Sequence, residues 1–434
     1  MRQGRNVVVM ATILGNAGLG IGCAALVAAQ TQVAQAPRFQ VDPLWPKPLP
    51  NHWLLGSAVG VAVDARDHVF VVNLTDSFNQ RTEISAATNP PTGECCFPAP
   101  AVLEFDPDGN LVGSFGGPGR GFRWPSSIHG VTVDNANNLW IGGAGGSDTQ
   151  ILKFARGGRF LAQYGQAAEV ADAGRGAAGR GAGVADTAYQ GVAPPAGRGG
   201  RGGRGGGAVA ALPPNSASKV SFGGATGISF DVRANEAYVA DGSRNRRVAV
   251  IDTRTGAIKR SWGAYGNRPD DAAMPAYSAG APPSKQFGVV RCAELANDGL
   301  VYVCDRSNNR IQVFRKNGSF VKETIIAPRT LGAGSVWDVA FSRDPQQRFL
   351  YVADGQNMKV HVLDRQSLEV LTSFGDGGRG PGQFFAVHSI ATDSKGNIYT
   401  TETLEGKRVQ KFLFRGLAPV TSRDQGVPRD GGQE

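Results

Sequence analysis

The chain of 434 residues carries 45 lysines and arginines against 36 acidic residues, a formal charge of +9. Apolar residues make up 41% and charged residues 19%, which supports a sizeable core and excludes a globally disordered chain. Five cysteines with no Cys-x-x-Cys pair exclude a zinc ribbon or a thioredoxin-type centre. No apolar run beyond the N-terminus is long enough to span a bilayer.

Residues 1–29 read as an export signal. Arg2 and Arg5 open it, Val7 to Ala29 is apolar and small with no acid, and Val27-Ala28-Ala29 supplies the small-x-small cleavage pattern. The expectation is an exported protein, periplasmic or extracellular, with a lead-in over 30–50 and no stable membrane insertion.

From there the chain repeats. Six β-type runs carry an aromatic at the same place: Phe70, Trp140, Tyr238, Tyr302, Tyr351 and Tyr399. Three positions after each comes Asn73, Gly143, Asp241, Asp305, Asp354 or Glu402. Tyr302, Tyr351 and Tyr399 are spaced by 49 and 48 residues. Each unit then supplies another alternating run, Val102 to Phe105 in the first and Val409 to Phe412 in the last, and four units close on an aromatic and a glycine. Four strands per unit at this period predict an all-β, six-bladed β-propeller with four-stranded antiparallel blades over 51–415. Longer intervals are read as inserts at 77–100, 166–217 and 264–285, and 416–434 as a flexible tail.

Blade six runs out of chain after Phe414. The stretch His52-Trp53-Leu54-Leu55-Gly56 resembles a blade's aromatic-glycine end, so this N-terminal strand is expected to close blade six and remove an open edge. The 166–217 insert, with Arg198, Arg201 and Arg204 among glycines, reads as a disordered loop rather than a nucleic-acid site.

In a propeller the innermost strand of each blade lines the central channel. Counting eleven residues back from the aromatic gives Val59, His129, Arg291 and His388 in blades one, two, four and six; slightly longer turns give Thr226 and Trp337 in blades three and five. Two of the chain's five histidines therefore share one ring. Asp338, one residue off that ring, is expected to point away from the channel. Cys95 and Cys96 are adjacent and form either a vicinal disulfide or two free thiols. Cys292 and Cys304 lie on consecutive strands of blade four, where one slip of register decides whether they meet.

Tyr302-Val303-Cys304-Asp305 followed by Asn309-Arg310 resembles the NHL repeat. With Ser127-Ile128-His129-Gly130-Val131 and Ala386-Val387-His388-Ser389-Ile390, the chain is similar over roughly 39–415 to the peptidyl-hydroxyglycine amidating lyase branch of that superfamily. The resemblance implies zinc held in the pore by three histidines of alternate blades. His129 and His388 match two of them, and Arg291 stands at the third. Asn73 and Ser243 replace the arginine and tyrosine of the family's site, while Ala386 and Ser389 replace a methionine and an aspartate.

A guanidinium has no lone pair to give a metal, so the set is incomplete and no resident cofactor is expected. The reading is an exported, monomeric binding module whose Arg291, Thr226 and Trp337 engage an anionic small molecule, peptide or protein at the pore mouth. The alternative is a metal-dependent enzyme of the peptidylamidoglycolate lyase or lactonase type.

Overall fold

Six four-stranded antiparallel sheets follow one another along the chain in a computed structural model that describes residues 33–167 and 211–428. The stretch read as an export signal and the arginine-glycine run lie outside the described residues. The inner strands are Ser57–Val63, Ile128–Val133, Ala225–Asp231, Val290–Leu295, Asp338–Phe341 and Val387–Thr392. The second strands are Val69–Leu74, Leu139–Gly143, Glu236–Asp241, Leu300–Asp305, Phe349–Asp354 and Ile398–Glu402. Among the described residues the only helical elements are single 3-10 turns.

The second strands are apolar on both faces because each is covered twice. Tyr302 packs towards blade five while Val301 and Val303 pack towards blade three. All six repeat aromatics are at most 2% exposed. The core accordingly divides into six clusters, one between each pair of neighbouring blades, including one that joins blade six to blade one through Tyr399, Trp45 and Val71. That last cluster closes the ring.

In blades three, four and six the acidic residue three positions after the aromatic latches the entry to the inner strand, whereas Asp354 of blade five bonds Asn357 and His361. Asp305 accepts from the Gly288 backbone N–H (2.8 Å) and from Arg310 Nε (2.8 Å), and Glu402 accepts from Phe385 N–H (2.8 Å) and Arg408 Nε (2.6 Å). Asp241 does the same with Gly223 and Arg247. Asn73 takes the place of the carboxylate in blade one, accepting from Gly56 N–H at 3.1 Å. In blade two, where Gly143 has no side chain, Asp148 supplies the carboxylate to Ser126 and Ser127 N–H.

Closure by an N-terminal strand holds, but the strand is not 52–56. Gln35–Asp42 pairs antiparallel with Arg408–Pro419, setting Val41 opposite Phe412 and Phe39 opposite Phe414. Trp53–Leu54 instead pairs in parallel with Phe97–Pro98 of the first insert. The sequence signal was masked because Pro37, Arg38 and Gln40 interrupt the apolar positions. Ala36, Phe39 and Val41 nonetheless face the cluster between blades five and six.

The expected tail is also partly built. Backbone bonds from Ser373 to Arg423, Gly375 to Gly426 and Val41 to Pro428 fasten the chain as far as residue 428. Residues 211–217 pack as well, with Arg247 Nη1 donating to the Ser216 carbonyl at 2.6 Å.

Candidate functional site

A β-bulge aims the ring residue of every blade but the fifth into the channel. The antiparallel register between inner and second strands skips at Val59, at His129 and Gly130, at Thr226, at Arg291 and Cys292, and at His388. Trp337 stands just before the inner strand of blade five, its N–H bonded to the Ala353 carbonyl at 2.9 Å. A bulge re-aims a side chain that regular alternation would turn elsewhere. Glycine follows the ring position in blades one to three, where a Cβ on Gly130 or Gly227 would press within 3 Å of the next blade's carbonyl. The inner strands thus approach one another closely, and the channel is narrow.

All six ring residues line one cavity of about 280 Å³. They are not at an open mouth, as the spacing suggested: their exposure runs from 4% to 8%. The cavity instead continues from the ring along the inner strands to Val63, Val133, Phe341 and the exposed Arg343, so the ring forms its inner end.

Within the ring, Arg291 Nη1 donates to His129 Nε2, which places the His129 proton on Nδ1. The His129 and His388 rings lie 4.7 Å apart at 57°, and Trp337 packs edge-on against His388 at 5.4 Å. Thr226 sits on the ring, but its hydroxyl lies 2.9 Å from the Val290 carbonyl, so it ties blade three to blade four. Trp337 likewise donates its indole N–H to the Gly334 carbonyl at 2.7 Å while the Arg306 guanidinium stacks 4.6 Å from its ring centre. Arg291, His129 and His388 are the polar groups the ring brings together.

Zinc does not fit this arrangement. The lone pair of His129 Nε2 already receives the Arg291 proton, and a cation there would meet a permanent positive charge. The residues at the lyase family's other positions are elsewhere: Asn73 is fully buried and donates to the Pro100 carbonyl at 2.8 Å, and Ser243 does not line the cavity. Among the described residues one trio of ligand types, Cys292, Cys304 and Asp338, comes within 4.8 Å. Its sulfurs are bonded to each other, so it has no thiolate to offer. The bulge at Arg291 and Cys292 sets the register that brings Cys292 opposite Cys304, with Cα atoms 4.9 Å apart. Cys95 and Cys96 also form a disulfide.

Two acids off the counted ring position, Asp338 and Glu294, also belong to the lining. Asp338 does not point away from the channel. The chain passes the ring position at Trp337 before regular pairing begins, so alternation starts one residue late. The Asp338 carboxylate lines the cavity and accepts from Ser389 Oγ (2.7 Å) and Ile390 N–H (3.1 Å) of blade six. Glu294, three residues beyond Arg291 on the same strand, lines it too.

Burial and the Asp338 charge push the Glu294 carboxyl up to about 8. Burial pushes Asp338 up to about 6 against the pull of its three hydrogen bonds. The signal for Glu294 was present in its position on a channel-lining strand, but a count confined to one ring position passed over it.

Residues 295–314 match the NHL repeat family model; they run from the end of blade four's inner strand through its second and third strands, Asp305 and Arg310 included. No curated protein matches the chain. Solved structures similar to it include a structural genomics protein from Bacteroides thetaiotaomicron, at 13% identity over 88% of this chain and 77% of that one, with a TM-score of 0.48. A streptogramin B lyase is similar at 11% identity over 88% and 98% of the two chains, with a TM-score of 0.43. Virginiamycin B lyase from Staphylococcus aureus is similar at 11% identity over 87% and 90%, with a TM-score of 0.42. The chain is a six-bladed β-propeller carrying an NHL repeat in blade four.

Proposed function

We propose that this protein is an exported binding module that takes a carboxylate-bearing molecule into its central channel, with Arg291 as the anion-binding group. The observation that carries this reading is the guanidinium at the inner end of a cavity, flanked by two imidazoles and remote from bulk water. A charge-assisted hydrogen bond from arginine to a carboxylate is short and strong, and low surrounding dielectric strengthens it. His129 orients the guanidinium by accepting its hydrogen bond, and with His388 it gives the anion a polar wall. Thr226 and Trp337 hold the blades at the right spacing rather than meet the ligand with their own donors, which are already engaged.

The enzyme alternative asks for a third metal ligand where Arg291 stands, and no observation favours it. Calorimetric titration with hexanoate tests the proposal. The expected result is saturable one-to-one binding that Arg291→Gln weakens about tenfold or more, the effect of losing a charged hydrogen bond. Unchanged binding by Arg291→Gln, or binding of zinc at one equivalent by the unaltered protein, counts against it.

A further inference from the structure

The cavity carries opposite charges at two levels. Arg291 lies at its inner end, Asp338 one residue beyond the ring on blade five, and Glu294 three residues beyond it on blade four. Among the described residues the Glu294 carboxylate takes part in no ion pair, and the charge that raises it is that of another carboxylate, Asp338. Asp338 is held by one hydroxyl and two backbone N–H groups, all neutral. Two carboxyls lining one enclosed space, neither ion-paired to Arg291 or Arg343 of the same lining, are costly unless a proton or a positive guest joins them.

We infer that the channel selects zwitterions: an ammonium settles between Glu294 and Asp338 while the same molecule's carboxylate reaches Arg291. This rests on the anion-binding role of Arg291. Strand geometry sets the length of the guest. At about 3.3 Å per residue, one to three residues separate the two levels by roughly 3–10 Å. Amino acids with a spaced amino group and short unblocked peptides span that distance. A cavity of about 280 Å³ lies just below the usual range for small-molecule pockets and admits one such guest.

The probes are 6-aminohexanoate, hexanoate and hexylammonium, titrated calorimetrically into the intact protein at about pH 8.5. There Glu294 is largely ionised and an alkylamine, with a pKa near that of lysine, keeps its proton. The expected result is that 6-aminohexanoate binds at least about tenfold tighter than hexanoate. Glu294→Gln should abolish that advantage while hexanoate binds at least as tightly as before, since its carboxylate no longer meets the Glu294 charge, whereas Arg291→Gln should weaken both ligands. A thermal melt of each variant establishes that it is folded; Glu294→Gln disturbs no hydrogen bond seen among the described residues. Equal binding of hexanoate and 6-aminohexanoate overturns the inference and leaves the anion site standing, as does an advantage that survives Glu294→Gln. Binding of hexylammonium alone, with neither carboxylate bound, overturns both.

Discussion

Glu294 shows at the scale of one residue how the channel couples to pH. Its folded value of about 8 lies above the ordinary 4.5, so between those limits the folded protein holds a proton that the unfolded chain has released. Stability therefore falls as pH rises through that window. Asp338, raised to about 6 from 3.8, acts in the same direction at the acidic end. The other charged or titratable groups lining the cavity are Arg291, Arg343, His129 and His388, beside the neutral polar Thr132, Thr226, Gln347, Ser389 and Thr392. A series of melting temperatures from pH 5 to 9 should decline, and Glu294→Gln, neutral throughout, should flatten its upper half by a few degrees. A decline of the same size in the variant would mean that Glu294 does not carry it. The site was legible where one side chain per blade sits at a fixed distance from an aromatic, which is why His129, Arg291 and His388 could be found by counting. Its acids were not, because the bulge in blade four and the late start of regular pairing after Trp337 in blade five change which face the next residues present, and no composition or spacing marks either.

At the scale of the element, the repeat motif is a latch rather than a binding site. Arg310 is 1% exposed in its side chain and reaches Asp305 at 2.8 Å, the Tyr265 hydroxyl at 3.0 Å and the Gln286 carbonyl at 3.1 Å. Asp305 at the same time holds the backbone that leads into the inner strand carrying Arg291. Removing one partner strands a buried charge, which costs roughly 3–5 kcal/mol. Asp305→Ala should therefore lower unfolding free energy in urea by about that amount. Arg66→Ala, which removes an exposed guanidinium 3.8 Å from the Asp64 carboxylate that Arg156 still holds at 2.7 Å, should change it by less than about 0.5 kcal/mol. A small loss in Asp305→Ala would show that Arg310 finds enough support from Glu323, 3.5 Å away. The motif's acid and arginine were visible in the sequence because the latch is local. Its substitutes, Asn73 in blade one and Asp148 in blade two, were not read as latches because each departs from the spacing or the charge while preserving the same backbone contact.

The whole molecule depends on one long-range pairing. Six inter-blade clusters make each blade rely on its neighbours, so a ring is stable only when the first and last blades are joined. Two N-terminal pieces make the join: Gln35–Asp42 completes blade six, and Trp45 packs 4.9 Å from Tyr399 of blade six and 5.6 Å from Phe105 of blade one. Counting aromatics gave six blades and showed that the last lacked a strand, but not which segment filled the gap. Short alternating segments compete on composition alone, and the long strand Arg408–Pro419 that selects its partner is recognisable only in the fold. Phe39 is the anchor of that choice, 7% exposed, with its ring centre 5.3 Å from Phe374 and 5.5 Å from Tyr351. Phe39→Ala should cost about 3–5 kcal/mol, the usual loss for a buried phenylalanine. Trp53→Ala, in a half-buried two-residue pair outside the blades, should cost distinctly less. Because the closing strand supports the ring as a unit, the Phe39 loss should appear as one cooperative transition at lower temperature, with the tryptophan and far-ultraviolet signals moving together. An early, separate transition of blade six alone would show that the blades unfold independently and that closure stabilises only its own edge.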